Sequence, residues 1–532
     1  MPRDRYDAIV IGAGHNGLVT AGYLARDGLS VLVLERLDKV GGGATTDEFT
    51  PGFLGPMCAY VVHSLQGKVI DDLKLREHGL DFAYSASSED RSNRIHIFPD
   101  GSFLDGPGIT SDFDLANQIR QFSERDARAY FDWVSFWDQA AGILYPFYLT
   151  EPPTIAELFE SVRGTRQEEV LEKLFTWSQV DLVEDHFEDE RVKAHFMRAD
   201  TEADPTSAGS MLGNAMFACS KFSRPQDRGI PRMSMGTVSQ SIADAATSLG
   251  VEIRTGVPVI RVIVEGGVAT GVGLASGEEI GAGVVVSNAD PKRTFTTLFE
   301  PEQIDAETVG RLKRWKTNAG CVKFLAALKE LPDLSRYLGS DHDRGSINYI
   351  QIMPSVEYHQ QSWDDAAGGR PTTCPIMNIQ LPSTVEPNLV RGAGHVLSGW
   401  VLFQPPVLEE GTWDDLRDEV GNQIIDATAE YIPNFRDSLI DWTVQTPADI
   451  ETRVGMTDGN IRHLDMIPSQ LLTQRQPYRT SVKNFYMCGA GTHPMGEVTG
   501  APGHNAAQVI LRDYQRASPL ATDGAPTQEA AR

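Results

Sequence analysis

Residues 8–11, Ala-Ile-Val-Ile, form an unbroken apolar run rich in β-branched side chains, the pattern of a strand buried on both faces. A glycine turn follows. Leu18, Ala21 and Ala25 then recur at helical spacing to about Asp27, and Gly28 stops the helix. A second apolar strand over 30–34 ends at Glu35. Near the other terminus, 484–488 is again strand-like. Ala506, Val509, Ile510 and Asp513 follow at helical spacing, and Pro502 suits the first turn of that helix. In the middle, 250–287 alternates short strands with Gly-Gly and Ser-Gly turns and reads as a β-meander. Its last strand, 284–287, runs into Asn288-Ala289-Asp290-Pro291 as if closing a parallel sheet.

The remaining stretches lack glycine motifs. The first reads mainly helical, with aromatic clusters around Tyr130, Trp133, Phe136 and Tyr145, Phe147, Tyr148 that at helical spacing belong to a core. Residues 209–217 suggest a small-residue helix lining a pocket, and 181–190 an acidic, solvated face. The second has strand-like runs at 320–328 and 395–403, consistent with a sheet that floors an active site.

Composition narrows the function. The chain has 532 residues, 41% hydrophobic and 23% charged, as a soluble globular protein does. Its formal net charge of −26 repels phosphate backbones, so nucleic acid is not an expected partner. The five cysteines show no CxxC or metal-ligand spacing, so no metal site is expected and a reducing compartment fits. No apolar run reaches the roughly 18 residues of a membrane span. The N-terminus enters a strand at once, without a signal peptide, and a cytoplasmic location is the simplest expectation.

The chemistry sits in the glycine turns. Gly12-Ala13-Gly14-His15-Asn16-Gly17 lies between strand and helix. Gly12 permits a tight turn, Gly14 lets backbone approach a pyrophosphate, and Gly17 lets helix and strand pack closely. The helix N-terminus offers free N–H groups to phosphates, and Glu35 can accept ribose hydroxyls. Just beyond Arg36, Gly41, Gly42 and Gly43, ahead of Thr46, supply further backbone amides, a pattern of FAD rather than nicotinamide sites. At the far end, Gly489-Ala490-Gly491 and then Gly500 and Gly503 form a second glycine-rich strand-to-helix turn. A helix N-terminus there can stabilise the negative charge of a reduced flavin ring. No second strand–GxGxxG–helix exists for a nicotinamide domain, and no CxxC for disulfide chemistry. The electron acceptors left open are oxygen, a quinone or a protein carrier. Cys488 reads as a small buried residue rather than a flavin tether, so FAD is expected to be non-covalent.

Together, residues 6–17, 33–46, 250–291, 455–463 and 486–507 resemble the phytoene desaturase-like branch of FAD-dependent oxidoreductases. The likeness is greatest to the subgroup of pyridine nucleotide-disulphide oxidoreductase domain-containing protein 2, and Thr-Gly-Ala-Pro-Gly-His-Asn at 499–505 is its most specific segment. The resemblance implies an α/β fold with a discontinuous, Rossmann-like (glutathione-reductase-like) FAD-binding domain interleaved with an α+β substrate domain. It places the first domain at 1–80, 234–294 and 453–517, the second at 81–233 and 295–452, and a disordered tail at 518–532. It implies that Val259 meets the adenine through its backbone, that Gly489 and Gly491 line the pyrophosphate and ribityl chain, and that Gly500, Gly503, His504 and Asn505 lie by the isoalloxazine. His15, Asn16, Arg36, Thr46, Asn288 and Ala490 join the expected cofactor contacts. One departure from the subgroup is Glu497, where glycine is the rule, which would bring a carboxylate close to the flavin.

The expected reaction removes a hydride from a C–H of a small organic or isoprenoid-like substrate to flavin N5, as desaturation, dehydrogenation or C–N oxidation, with a proton lost alongside. Candidate bases are His504 first, by proximity, then His493, Glu497, His463 and His63. Two other readings stay open: an FAD-dependent isomerase or lyase without net redox change, and a non-catalytic FAD-binding interaction protein. A homo-oligomer is compatible with all three.

Overall fold

The computed structural model describes residues 5–85, 91–197 and 203–517, and within them the chain builds two seven-stranded sheets. The centre of the first is Arg5–Ile11, which lies parallel between Val31–Leu34 and Glu279–Ser287. Glu252–Arg254 adds parallel on one side, and Phe485–Met487 adds parallel to Val285, Val286 and Ser287 on the other. Strands from residue 5 to residue 487 therefore share one sheet. The meander expected at 250–287 is present, its hairpin Val259–Glu265 and Val268–Leu274 extending antiparallel from the first half of Glu279–Ser287. Gly271, Gly273, Gly281 and Gly283 all lie within these strands, not in phosphate-binding turns.

Alternate side chains of the buried strands feed two different cores. Ala8, Val10, Val31 and Val33 pack with the helices His15–Arg26, Gly236–Ser248 and Ala501–Ala517. Ile9, Ile11, Leu32 and Leu34 pack with Phe295, Phe299 and Phe485 on the opposite face. With apolar layers on both faces, a parallel strand carries no polar alternation, which is why 8–11 reads as a continuous apolar run. The first and last helices touch where Gly503 meets the backbone of Asn16, and the Thr20 hydroxyl donates to the Gly503 carbonyl at 3.0 Å.

The second sheet runs, in spatial order, Leu439–Gln445, Gly320–Leu328, His395–Gln404, Ile376–Gln380, Tyr349–Ile352, Arg94–Ile97 and Phe103–Asp105. One face buries Val322, Phe324, Leu397 and Val401 against the helix Trp413–Tyr431. The other bears Cys321, Trp400 and Leu402 toward a helical layer that includes Glu124–Leu144, whose Tyr130, Trp133 and Phe136 are core residues, as expected. The first substrate stretch is mainly helical, and it also supplies the short strands Phe82–Ser85, Arg94–Ile97, Phe103–Asp105 and Gly229–Pro231. Strands of three or four residues are too short to show a period. The expected tail at 518–532 lies outside the described residues.

Among the described residues, no helix is long and apolar enough to cross a membrane. None of their cysteines is in a disulfide, and no group of three or more His, Cys, Asp or Glu residues is placed to hold a metal ion.

Candidate active site

Between the glycine turns and the second sheet lies a cavity. Gly14, His15, Asn16, Gly42 and Gly43 form one wall, with Asn288 and Ala490 beside them, and Asn378, Trp400 and Leu402 of the second sheet face it from across. The first turn is tight because Gly12 holds φ at +95°, a conformation open to glycine without strain. The second glycine cluster folds directly onto it: the Gly41 N–H donates to the Ala13 carbonyl at 2.8 Å, and Gly14 and Gly41 form a parallel bridge.

These residues fit an FAD. The wall at Gly14, Gly42 and Gly43 is bare backbone, and a Cβ at Gly14 would stand 2.6 Å from Asn288 Nδ2. The buried Asn16 Oδ1 has no hydrogen-bond partner within the chain. Glu35 is buried at the end of the second strand, where Oε2 accepts from the Ala13 N–H at 2.8 Å and Oε1 from the Leu37 N–H at 2.9 Å. Each oxygen keeps a free lone pair for a sugar hydroxyl. The Val257 N–H donates to the Glu35 carbonyl at 2.8 Å, which brings the approach to Val259 alongside the acid.

Other expected cofactor residues stand behind the cavity wall. Gly17 packs against the Gly12 carbonyl, and a Cβ at Gly489 would lie 2.6 Å from the Asn288 carbonyl oxygen. Gly491 packs on Pro291, and Gly500 on Val69 and Val19. The Arg36 guanidinium donates to the carbonyls of Thr452 and Arg453, at 2.8 and 2.5 Å. The Thr46 hydroxyl accepts from the Gly236 N–H at 2.9 Å and so ties loop to helix. Asn505 Nδ2 donates to the Tyr148 carbonyl at 3.1 Å.

The candidate bases separate sharply by position. His504, first in the expected order, does not line the cavity. Its ring meets Tyr23 edge-on at 5.0 Å, and Nδ1 lies 2.9 Å from Asn505 Oδ1. The helix that carries it presents that face to the first helix instead. His493 also stands away, buried, with Nε2 2.9 Å from the Phe147 carbonyl, and burial pushes it down to about 4. Glu497 does line the cavity, but it is ion-paired with Arg462 and is not a free base. His463 lines it too, 3.5 Å from Asp290 through Nδ1. Burial pushes His463 down to about 3 and Asp290 up to about 6. His15 is likewise pushed down by burial, to about 4, and its Nε2 lies 3.1 Å from the Glu497 carbonyl oxygen.

His63 has a different setting. It lines the first cavity and also a second one, together with Tyr60, Val61 and Asn378. The two spaces meet at these residues.

Sequence reasoning missed Lys323. It lies fully buried in Gly320–Leu328, with Nζ 2.8 Å from Ser398 Oγ and 4.5 and 4.8 Å from the ring centroids of Tyr60 and Trp400. Burial pushes its ammonium down to about 7. A lone lysine inside Gly-Cys-Val-Lys-Phe-Leu-Ala-Ala-Leu was the signal available, because a charge is rarely left in an all-apolar strand.

A cavity walled by glycine backbone and faced by a substrate-side sheet defines the class, a flavoprotein oxidoreductase. The family described as Flavin containing amine oxidoreductase matches residues 17–511, and the chain belongs to it. It is an FAD-dependent oxidoreductase, acting on a small molecule and passing electrons to an acceptor. Pyridine nucleotide-disulfide oxidoreductase domain-containing protein 2 of Rattus norvegicus is 30% identical over 96% of this chain and 94% of its own. Phytoene desaturase (lycopene-forming) of Pseudescherichia vulneris is 24% identical over 95% and 99%. The phytoene desaturase-like resemblance therefore holds over 95% of this chain. Cyclohexylamine oxidase from Brevibacterium oxydans IH-35A has the same fold, with a TM-score of 0.61 at 16% identity over 96% of this chain and 100% of that one.

Proposed function

We propose that the protein is an FAD-dependent dehydrogenase that oxidises a C–H bond of a small organic substrate, with His63 as the group that accepts the accompanying proton. The observation that carries this reading is the position of His63, on the wall shared by the glycine-lined cavity and the second cavity. Of the expected bases, it alone faces both.

In this reading Gly14, Asn16, Gly42, Gly43 and Ala490 hold the FAD from the glycine side, and Glu35 holds its ribose. When bound, FAD supplies the acceptor for one hydrogen and an electron pair. The chain's own task is the second hydrogen, which leaves the substrate as a proton. His63 is exposed to the cavities and set edge-on against Phe217 at 5.4 Å, which limits the ring's freedom while leaving it accessible. Trp400, Leu402 and Val498 give the first cavity apolar walls that exclude water from the reacting carbon. FAD is read as non-covalent because the cavity cysteine, Cys58, is pushed up to about 11 by burial and stays a thiol.

The test is anaerobic mixing of the yellow holoprotein with a panel of alcohols, amines and unsaturated acids, read by loss of flavin absorbance. Bleaching by a substrate, slowed roughly 100-fold in His63→Asn as loss of an acid–base group predicts, with FAD content unchanged, supports the reading. Product formed without bleaching would overturn it, and an unchanged rate in His63→Asn would remove His63 from the mechanism.

A further inference from the structure

Among the described residues, the second cavity is lined by more arginines than carboxylates, and Arg91 has a further carboxylate, Asp112, at 4.0 Å. Arg91, Arg94 and Arg228 line it, and Asp105 is the only carboxylate that does so among the described residues. Asp105 already serves two of them: Arg94 Nη2 lies 2.9 Å from Oδ2, and Arg91 Nη1 3.7 Å from Oδ1. His96 and His195 line the same space, and burial pushes them down to about 3 and 4, so they are neutral at physiological pH.

Arg228 is left over. It is 8% exposed, its Nε is buried without a hydrogen-bond partner, and no described carboxylate pairs with it. An unpaired buried guanidinium is costly, and such groups persist where a ligand completes them. A second orphan donor, Asn93 Nδ2, is buried on the same cavity; the orphan acceptors there are Gln380 Oε1 and Asp105 Oδ1. Arg228 also stands close to the reaction site, because its neighbour Gly229 is locked to Val62, which precedes His63. The Val62 N–H donates to the Gly229 carbonyl at 2.9 Å, and the Gly229 N–H returns the bond at 2.8 Å.

We propose that the second cavity binds the anionic head, a carboxylate or phosphate, of the substrate, with Arg228 gripping the oxyanion while the reacting carbon reaches the glycine-lined cavity past His63. This deepens the dehydrogenase reading above and rests on it. It assigns the substrate to the organic anions, not to neutral hydrocarbons. A forked guanidinium matches the two oxygens of either anion.

The test uses the FAD-loaded protein and three probes of one shape: phenylacetate, phenyl phosphate and neutral phenylacetamide. Binding is read by thermal shift and by perturbation of the flavin spectrum. One of the two anions is expected to bind at least tenfold tighter than the amide, which tells carboxylate from phosphate, and inorganic phosphate should compete with it. Arg228→Gln should weaken that anion at least tenfold and leave the amide and the FAD content unchanged. The proposal is overturned if the amide binds as well as both anions, or if Arg228→Gln binds the anion like the wild type. Should Arg228→Gln fail to fold, the anion–amide comparison on the wild type decides alone. A protein that holds FAD but shows no anion preference sinks only the anion subsite, whereas one that takes up no FAD sinks the redox reading itself.

Discussion

The Lys323 ammonium lies 4.8 Å from the ring centroid of Trp400, one residue behind the wall of the glycine-lined cavity. Burial opposes its charge, while the faces of Trp400 and Tyr60 and the Ser398 hydroxyl favour it. Burial wins, and the group titrates at about 7 rather than in the usual lysine range. A cation there favours an electron-rich ligand in the cavity, and only while it is protonated. Lys323→Met should therefore retain FAD but lower the midpoint potential of the bound flavin, with the difference shrinking as pH rises through about 7. The stability effect has a fixed sign. Between about 7 and 10.5 the unfolded chain holds the Lys323 proton and the folded chain does not, so wild-type stability rises with pH across that window. Lys323→Met should raise Tm more at pH 6 than at pH 9.5. An equal gain at both would mean that the lysine is not desolvated.

Glu35 organises the cofactor end through charge-assisted bonds to two backbone amides and has lone pairs to spare. Hydrogen bonds to a charged group contribute about 1.5–3 kcal/mol. Glu35→Ala should weaken FAD binding by roughly 10–100-fold, since about 1.4 kcal/mol is tenfold. Titration of apoprotein with FAD, followed by quenching of flavin fluorescence, measures this. Unchanged affinity would mean that Glu35 acts only as a turn-former between Ala13 and Leu37.

What was legible in the sequence was what is local in the chain. Residues 8–35 carry their strand, turn, helix and acid within one short segment, and each piece constrains the next. The return of 484–505 to the same site was legible for the same reason, as a second glycine turn. His504 was misjudged because a helix N-terminus has several directions, and the packing of Gly503 on Asn16 decides which one His504 takes. Arg228 and Asn93 were invisible as a pair. They line one cavity only because strands near residues 94, 230, 350 and 378 border it, and nothing in their spacing records that.

Acid should unfold this protein early. Burial lowers His15, His96, His195, His463 and His493 to between about 3 and 4, from 6.5. Near pH 5 the unfolded chain protonates all five and the folded chain none, so they make stability fall as pH drops from about 6.5 to 4. Asp290 and Asp465, raised to about 6, act in the opposite sense, since the folded chain holds their protons. Five histidines against two aspartates leave about three protons taken up on unfolding, or on the order of 4 kcal/mol per pH unit near pH 5. Tm measured from pH 7 to pH 4.5 should fall steeply below about 6. A flat profile would show that these imidazoles are solvated in the folded state.

Arg462 and Glu497 form an ion pair in which both side chains are largely buried, 7% and 13% exposed. Glu497 holds φ at +95°, and Gly496 just before it packs on the Arg462 backbone, so the turn is shaped around this pair. Breaking one partner of such a pair costs about 3–5 kcal/mol because the other charge is left buried and alone. Glu497→Gln should destabilise the protein by nearly that much. Arg462→Met on top of it should restore part of the loss, because no uncompensated charge remains. Chemical denaturation of wild type, both single variants and the double variant gives the coupling directly. If Glu497 acted as a base, Glu497→Gln would abolish flavin reduction with little change in stability. If the pair is a strut, stability falls and the rate of flavin reduction in the folded fraction holds. The ion pair with Arg462 argues for the strut.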